Sequence, residues 1–200
     1  MPLRRLAVPT IALALVVTLA GCGSDDSSPV GTAGVVSSSG SVASVALNAA
    51  DIEFAQGMIA HHEQAIDMAE IALEPTIGAS PAVVDLATRI KGAQDPEVEL
   101  MTGWLIAAGK PVAKDAADGH EMSSMDGMMT PEQMESMAAL TGADFDQMWL
   151  KMMIAHHEGA VGQSQTVKAA GANADVLALA DQIITAQQAE ITEMQALLQG

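Results

Sequence analysis

The sequence predicts an all-α protein, a four-helix bundle built from two repeated helical hairpins. The first observation is composition, because half of the 200 residues are hydrophobic while the chain holds only two Trp, two Phe and no Tyr. Ala, Leu, Ile, Val and Met must therefore fill the core, which suits helices, and little in the chain is typical of strands. The second observation is a repeat: "MIAHHEQAI" at 58–66 returns as "MIAHHEGAV" at 153–161.

The repeat extends beyond this nonapeptide. "LATRIKGAQDPEVELMTGWL" at 86–105 aligns with "LADQIITAQQAEITEMQALL" at 179–198. The aligned polar and sulfur residues are Gln94 with Gln187, Glu97 with Glu190, and Met101 with Met194. Each half therefore holds one helix with an HHE motif and one with a QxxExxxM pattern. Two such hairpins supply the four helices of a bundle with a pseudo-twofold axis.

Residues 1–21 are predicted to be a lipoprotein signal peptide. Two arginines precede an apolar segment at 6–20, which is short for a membrane span of ~20 residues and ends in "LAGC". Small residues before a cysteine resemble the site at which bacterial lipoproteins are cleaved and lipidated, so Cys22 is the predicted lipidation site. An uncleaved N-terminal anchor is the alternative. Either predicts an extracytoplasmic domain attached to a bacterial membrane.

Residues 22–49 are rich in Ser and Gly and are predicted to be a flexible tether. Because Cys22 is the one cysteine of the chain, no intrachain disulfide can form, and a soft metal ligand in the mature domain would have to be methionine. The net charge of −17 argues against nucleic acid and anionic lipid headgroups as partners.

The bundle domain is predicted at 50–200, and its helix ends follow from caps and prolines. Asp51 is the predicted cap of the first helix, which should end before Pro75. Pro81 opens the second helix and Gly109 closes it.

In "TPEQ" at 130–133, an N-cap threonine is followed by proline at N1 and glutamine at N3, which predicts a short helix before the third long one. Asn173 and Asp175 are start signals for the last helix.

Helical wheels place the histidines on the apolar sides of their helices. His62 lies near the centre of the apolar arc of the first helix, with His61 at the edge. The third long helix repeats this, with His157 facing inward and His156 flanking it. His62 and His157 are therefore the primary imidazole candidates.

Two carboxylates lie within the apolar stripes of the other two helices, Glu97 and Glu190. A buried carboxylate without a partner is unfavourable, so imidazole, carboxylate and thioether groups aimed at one interior favour a metal site. Thioether with imidazole suits copper, especially Cu(I), with the glutamates as ligands or as acceptors that orient a histidine N–H. The candidate ligands are His61, His62, His156, His157, Met58, Met101, Met153, Met194, Glu97 and Glu190.

A second group of soft ligands lies in a Met-rich loop at 115–130, which contains "HEMSSMDGMM". Methionines in an exposed loop bury no apolar surface, so this loop is predicted to be a flexible arm for Cu(I) or Ag(I). Its candidate ligands are His120, Met122, Met125, Met128 and Met129. Oxidant scavenging or drift is the alternative for the loop. For the core, the alternative to a metal site is purely structural. The His–Glu hydrogen bonds would then hold two helices together without metal, and the methionines would fill gaps.

"MIAHHEQAIDMA", "GMMTPEQMESMAALTGADFDQMWLKMMIAHHEGAV" and "QQAEITEMQALL" resemble a bacterial family, domain of unknown function 305, over roughly 50–199. The resemblance implies a ferritin-like four-helix fold, copper binding and copper tolerance. Two departures concern the site. Gln163 stands where the family commonly has a methionine, as Met68 does in the first half, and Pro96 interrupts the second helix where Ala189 stands in the fourth. A kink beside Pro96 would distort or open the first-half site.

The sequence thus predicts a non-enzymatic, extracytoplasmic copper-binding lipoprotein that sequesters or buffers copper. Its expected partners are the metal ion, the membrane through the lipid anchor, and a metal-transfer protein or a second copy of the chain. One alternative is a lipoprotein scaffold without metal. The other is a di-iron or di-manganese oxidase, although such sites use Glu-x-x-His and the sequence contains none.

Overall fold

The computed structural model describes residues 46–112 and 126–199, so the predicted signal peptide, Cys22 and most of the predicted tether lie outside the described residues. The described chain holds five helices and no strand, which confirms the all-α prediction. The helices are α1 (Ala49–Leu73), α2 (Pro81–Ala107), α3 (Pro131–Ala138), α4 (Gly142–Ala170) and α5 (Ala174–Gln199). None of them is both long enough and apolar enough to cross a membrane.

The four long helices form two hairpins, α1 with α2 and α4 with α5, which meet mainly along α1 and α4. These two helices run antiparallel. The indole Nε1 of Trp149, early in α4, donates to the carbonyl of Met68, late in α1, at 2.9 Å. At the other end, Asp51 in the first turn of α1 contacts the segment that follows α4. The two helices that carry the HHE motif therefore face each other at the middle of the bundle.

The start of α1 differs from the prediction, since its N-cap is Asn48 and Asp51 is the third helical residue. The Asn48 side chain accepts from the Asp51 amide at 2.8 Å, and the Asp51 carboxylate accepts from the Asn48 amide at 2.9 Å. This reciprocal capping box satisfies two of the donors that a helix start leaves free. Asp51 is fully buried, and its carboxylate also accepts from the amides of Ala172 and Asn173. These bonds offset the cost of burying the charge.

Substitution of Asp51 by alanine is expected to lower the free energy of unfolding by roughly 2–3 kcal/mol. The variant loses a cap and leaves the amides of Ala172 and Asn173 without their charged acceptor. Asp175→Ala is the matched control, since Asp175 is an exposed carboxylate in the first turn of α5 and should contribute under about 1 kcal/mol through the helix dipole. Urea unfolding of both variants measures the difference, and equal losses would contradict the role given to Asp51.

The remaining helix ends follow the predicted signals. Ser80 caps α2 directly before Pro81, and Thr130 forms a capping box with Gln133 at the start of α3. The Asn173 side chain accepts from two amides in the first turn of α5. Gly109, just after α2, has a φ of 64°, a conformation that glycine adopts without strain.

The core consists of two apolar clusters. One surrounds Trp149 and Phe145 and includes Met153 and Met194. The other surrounds Phe54 and includes Met58 and Met101 among its buried residues. The four histidines of the HHE motifs belong to neither cluster, although each is fully buried.

Candidate metal centre

His61 of α1 and His156 of α4 contact each other where the two hairpins meet. Their ring centroids are 3.7 Å apart and the ring planes are tilted by 42°. Both side chains are fully buried, and neither ring nitrogen of either residue has a hydrogen-bond partner among the described residues. Buried polar groups are ordinarily hydrogen-bonded, so four unpartnered nitrogens at one place require an explanation.

Burial keeps both of these imidazoles neutral. Desolvation, followed by the influence of the neighbouring His62 and His157, lowers the pKa of His61 to about 3. Desolvation, followed by the influence of His61, His157 and His62, holds the pKa of His156 well below its ordinary value, and the backbone of His61 opposes that shift in part. The backbone of Asp126 opposes the shift at His61, but it does not reach hydrogen-bond geometry with either ring nitrogen. At neutral pH each ring therefore carries one nitrogen with a free lone pair, the form that binds a metal.

The other two histidines are paired with glutamates inside their own hairpins. His62 Nε2 lies 2.7 Å from Glu97 Oε2, and His157 Nε2 lies 2.9 Å from Glu190 Oε2. A carboxylate accepts, so Nε2 is the donor, and a ring with a single proton then has its lone pair on Nδ1. In both residues Nδ1 is buried and has no partner among the described residues. A carboxylate that fixes the tautomer and turns the opposite nitrogen toward the interior is the usual support of a metal-binding histidine.

His61 and His156, which the helical wheels place at the edges of the apolar arcs, are not at the surface. Both are as completely buried as His62 and His157. A wheel relates one helix to one apolar side, whereas α1 packs against two helices, with His62 next to α2 and His61 next to α4. Residues one position apart differ by about 100° around the helix, so the two histidines serve different interfaces.

The two glutamates of α2 and α5 are less deeply buried than predicted, whereas the two glutamines are buried. The side chains of Glu97 and Glu190 are 22% and 15% exposed, so the carboxylates lie at the rim of the core. Gln94 and Gln187 are deeper, 3% exposed, and the Oε1 atom of each is buried without a partner.

Pro96 does not interrupt α2, which continues from Pro81 to Ala107. The His–Glu distance next to Pro96 is also similar to that of the second hairpin, 2.7 Å against 2.9 Å. The pairing of His62 with Glu97 therefore matches that of the second hairpin, although Glu97 is the more exposed of the two glutamates, 22% against 15%.

The four core methionines are fully buried but do not form a single group. Met58 and Met101 belong to one apolar cluster, and Met153 and Met194 belong to the other. Met68 is also fully buried, whereas Gln163 at the equivalent position is part-buried with an unpartnered Nε2.

The Met-rich loop is described only from residue 126 onward, so His120, Met122 and Met125 lie outside the described residues. Met128 is part-buried, and Met129 is 7% exposed and packs in the cluster of Trp149. The expectation that the loop methionines bury nothing is therefore wrong for Met129, because the chain turns into the core before α3.

In the described part of the chain, no three His, Cys, Asp or Glu side chains are grouped so that they could hold one ion together. The imidazoles form pairs instead. With ring centroids 3.7 Å apart, His61 and His156 must turn before both can bind one ion, and within residues 46–112 and 126–199 no hydrogen bond to their nitrogens opposes that turn. Imidazole nitrogens, together with the buried thioethers of the two apolar clusters, are donor types that suit copper.

Two residues that sequence reasoning missed lie one turn beyond the histidine pair. Gln64 binds the backbone of Met129, with Nε2 donating to its carbonyl at 2.9 Å and Oε1 accepting from its amide at 2.7 Å. Gly159 lies under Asp126 and Gly127, where a Cβ atom would be 2.0 Å from the Asp126 carbonyl oxygen. The sequence did contain a signal for these two residues. Gln64 and Gly159 occupy the same position in the two nonapeptides and are the most dissimilar pair within them.

The family model of domain of unknown function 305 (DUF305) matches residues 51–198. A solved DUF305 structure from Streptomyces coelicolor, described as a candidate secreted protein, is 29% identical with a TM-score of 0.68, and the match covers 74% of this chain and 91% of that one. A DUF305 fragment from Deinococcus radiodurans is 29% identical with a TM-score of 0.67, covering 76% of this chain and 97% of the fragment.

CopM in its Cu(II)-bound form is 30% identical with a TM-score of 0.61, and the match covers 74% of this chain and 95% of CopM. CopM has also been solved in Cu(I)-bound, Ag-bound and apo forms that match this chain. None of the curated proteins compared with the chain is a significant match.

Proposed function

The chain belongs to the DUF305 family, and from this premise we propose that it is an extracytoplasmic copper-binding lipoprotein that sequesters or buffers copper without chemical turnover. Cu(I) is the favoured cargo, and Cys22 carries the lipid that attaches the protein to a bacterial membrane. The candidate secreted relative from Streptomyces coelicolor supports an extracytoplasmic location. The copper-bound and silver-bound forms of CopM support the choice of metal.

The observation that carries this proposal is the His61–His156 pair. Its four ring nitrogens have no hydrogen-bond partner in the described part of the chain, and a neutral imidazole that is buried without partners lowers the stability of the fold. A scaffold without metal gains nothing from such a pair, since leucine would pack better there. A metal carrier gains two free ligands in a site from which water is excluded.

Each residue group has a separate role in this proposal. His61 and His156 are the ligands shared between the hairpins, and His62 and His157 offer Nδ1 from the two sides. Glu97 and Glu190 act as acceptors that orient those rings, as the distances of 2.7 and 2.9 Å support. The buried methionines Met58, Met101, Met153 and Met194 supply thioethers when the bundle adjusts to the ion.

The test is anaerobic titration of the mature protein with Cu(I), followed by removal of unbound metal and analysis of the copper that remains. We expect bound copper and a melting temperature that rises with free Cu(I), because a ligand at about 100 times its Kd stabilises the folded state by ~2.7 kcal/mol. Zn²⁺ and Mg²⁺ are the comparison ions. Absence of bound copper together with an unchanged melting temperature would favour the scaffold.

Substitution of Glu97 by glutamine is expected to weaken copper binding by roughly 10–100-fold, the usual effect of removing a partner that orients a ligand. The amide keeps the size of the side chain, but it removes the charge 2.7 Å from His62 Nε2. Glu99→Gln on the same helix is the matched control, since Glu99 is exposed. A competition titration with a chelator of known affinity measures both variants. Equal affinities in the two variants would rule out the role assigned to Glu97.

A further inference from the structure

A short segment before α3 lies across the two helices that carry the histidine pair. We call residues 126–129 the strap. One end is bound to α1, because the Gln64 side chain holds the Met129 backbone through two hydrogen bonds of 2.7 and 2.9 Å. The other end rests on α4, where a Cβ on Gly127 would lie 2.7 Å from the Ala155 carbonyl and 3.0 Å from the His156 carbonyl.

The contact with α4 depends on two glycines. Gly127 has a φ of 85°, a conformation that other residues rarely adopt. Gly159 lies directly beneath, and a side chain on it would lie 2.0 Å from the Asp126 carbonyl oxygen and 2.9 Å from the Gly127 Cα. These are backbone atoms, so a residue larger than glycine at either position displaces the strap.

The strap lies on the side of the bundle to which the histidine pair turns. His62 and His157 turn toward α2 and α5, where their glutamates lie. His61 and His156 precede them by one residue and therefore lie about 100° around their helices. The backbone of Asp126 is near enough to His61 to influence its ring. Gln64 and Gly159, which contact the strap, follow His61 and His156 by three residues and therefore lie on the same faces of α1 and α4 as the pair.

We propose that the strap is the removable cover of the His61–His156 pair and that Gln64 and Gly159 are the positioning residues that hold it closed, so that copper enters and leaves when the strap lifts. The copper part of this inference rests on the proposed function. The cover itself is a property of the metal-free protein, and it can be tested without metal.

The strap is also well suited to lift. It is held by side chain–backbone hydrogen bonds and by one buried methionine, Met129, and it is not part of a helix. Local structure of this kind opens far more often than the helices beneath it. The strap also explains why the two repeats differ at this position. Gln64 in the first repeat binds the strap, and Gly159 in the second leaves space for it.

The test compares Gly159→Ala with Gly162→Ala. Both place the same methyl group on α4, but a Cβ at Gly162 meets nothing within 4 Å, so the control gains helix propensity alone. The metal-free proteins are treated with diethyl pyrocarbonate, and mass spectrometry follows modification of each histidine. Gly159→Ala should accelerate modification of His61 and His156 at least about tenfold over Gly162→Ala, and Cu(I) uptake and chelator-driven release should accelerate with it.

A second pair guards against a folding defect in Gly159→Ala. Gln64→Ala removes both bonds to Met129, whereas Gln56→Ala removes a bond of the same kind, from the same helix to the Pro111 carbonyl at 2.8 Å. Of these two variants, only Gln64→Ala should accelerate histidine modification and copper exchange. The rates should rise about tenfold for each ~1.4 kcal/mol lost from the free energy of strap closure, and the circular dichroism spectrum should not change.

The outcomes separate the two proposals. Acceleration of both modification and copper exchange in Gly159→Ala and Gln64→Ala supports the cover and the route. Normal copper binding with modification rates equal to those of the controls overturns the cover. A wild-type protein that binds no copper contradicts the proposed function, and the modification rates of His61 and His156 then decide the cover independently.

Discussion

Replacing His61 and His156 together with leucine is expected to make the metal-free protein more stable while removing its high-affinity copper binding. The two imidazoles are fully buried, and none of the residues that the structure describes forms a hydrogen bond with their four nitrogens. Each buried, unsatisfied polar group costs roughly 1–3 kcal/mol, and replacing it with an apolar group of similar size removes that cost. We therefore expect the free energy of unfolding to rise by about 1–3 kcal/mol for the pair and Cu(I) affinity to fall by more than about 100-fold.

The double variant His62→Leu and His157→Leu is the matched control. It also removes two buried imidazoles, but it breaks the bonds of 2.7 and 2.9 Å to Glu97 and Glu190. Because part-buried carboxylates then lose their partners, this variant should be less stable than the wild type, by about 1–3 kcal/mol. Opposite signs in the two variants would distinguish ligands kept for function from residues kept for stability.

Urea unfolding and Cu(I) competition titration measure the two effects. If His61→Leu/His156→Leu lowers stability and leaves copper affinity unchanged, the pair is a structural contact between the hairpins and the proposed site is wrong. Opposed changes in stability and affinity would mark the site as one where the fold gives up stability for binding.

The metal-free protein is expected to lose stability steeply as pH falls from about 6.5 toward 3. In the unfolded chain imidazoles protonate near pH 6.5, whereas burial lowers the pKa of His61 to about 3 and that of His156 well below its ordinary value. Between these values the unfolded state binds more protons, so the free energy of unfolding rises with pH. The slope reaches about 1.4 kcal/mol per pH unit for each imidazole that stays neutral in the fold.

Above about pH 6.5 the two histidines are neutral in both states, and their contribution to the pH dependence disappears. Carboxylates elsewhere affect the wild type and His61→Leu/His156→Leu alike, so the difference between the two reports the pair together with its influence on His62 and His157. Urea unfolding from about pH 7.5 to about pH 4.5 should show a flatter profile for the variant. Parallel profiles would mean that the imidazoles protonate inside the fold at their ordinary pKa.

The fold followed from the sequence because its signals are local and repeated. Caps and prolines act within a few residues, so the capping box at Thr130 and the start of α2 at Pro81 could be predicted from neighbours alone. The cap of α1 is equally local, since Asn48 and Asp51 are three residues apart. What neighbours alone could not predict is that Asp51 also binds the amides of Ala172 and Asn173, far along the chain.

The sequence by itself determined that the chain is helical, that it repeats, and that four histidines of the repeats lie inside, since helical periodicity and buried apolar neighbours fix those properties. The tertiary structure alone decided which histidines meet. His61 reaches His156 because α1 and α4 cross antiparallel at that level, a relation between two helices that no single helical wheel contains. The same holds for Gln64 and Gly159, whose importance depends on a strap that only the folded chain brings to them.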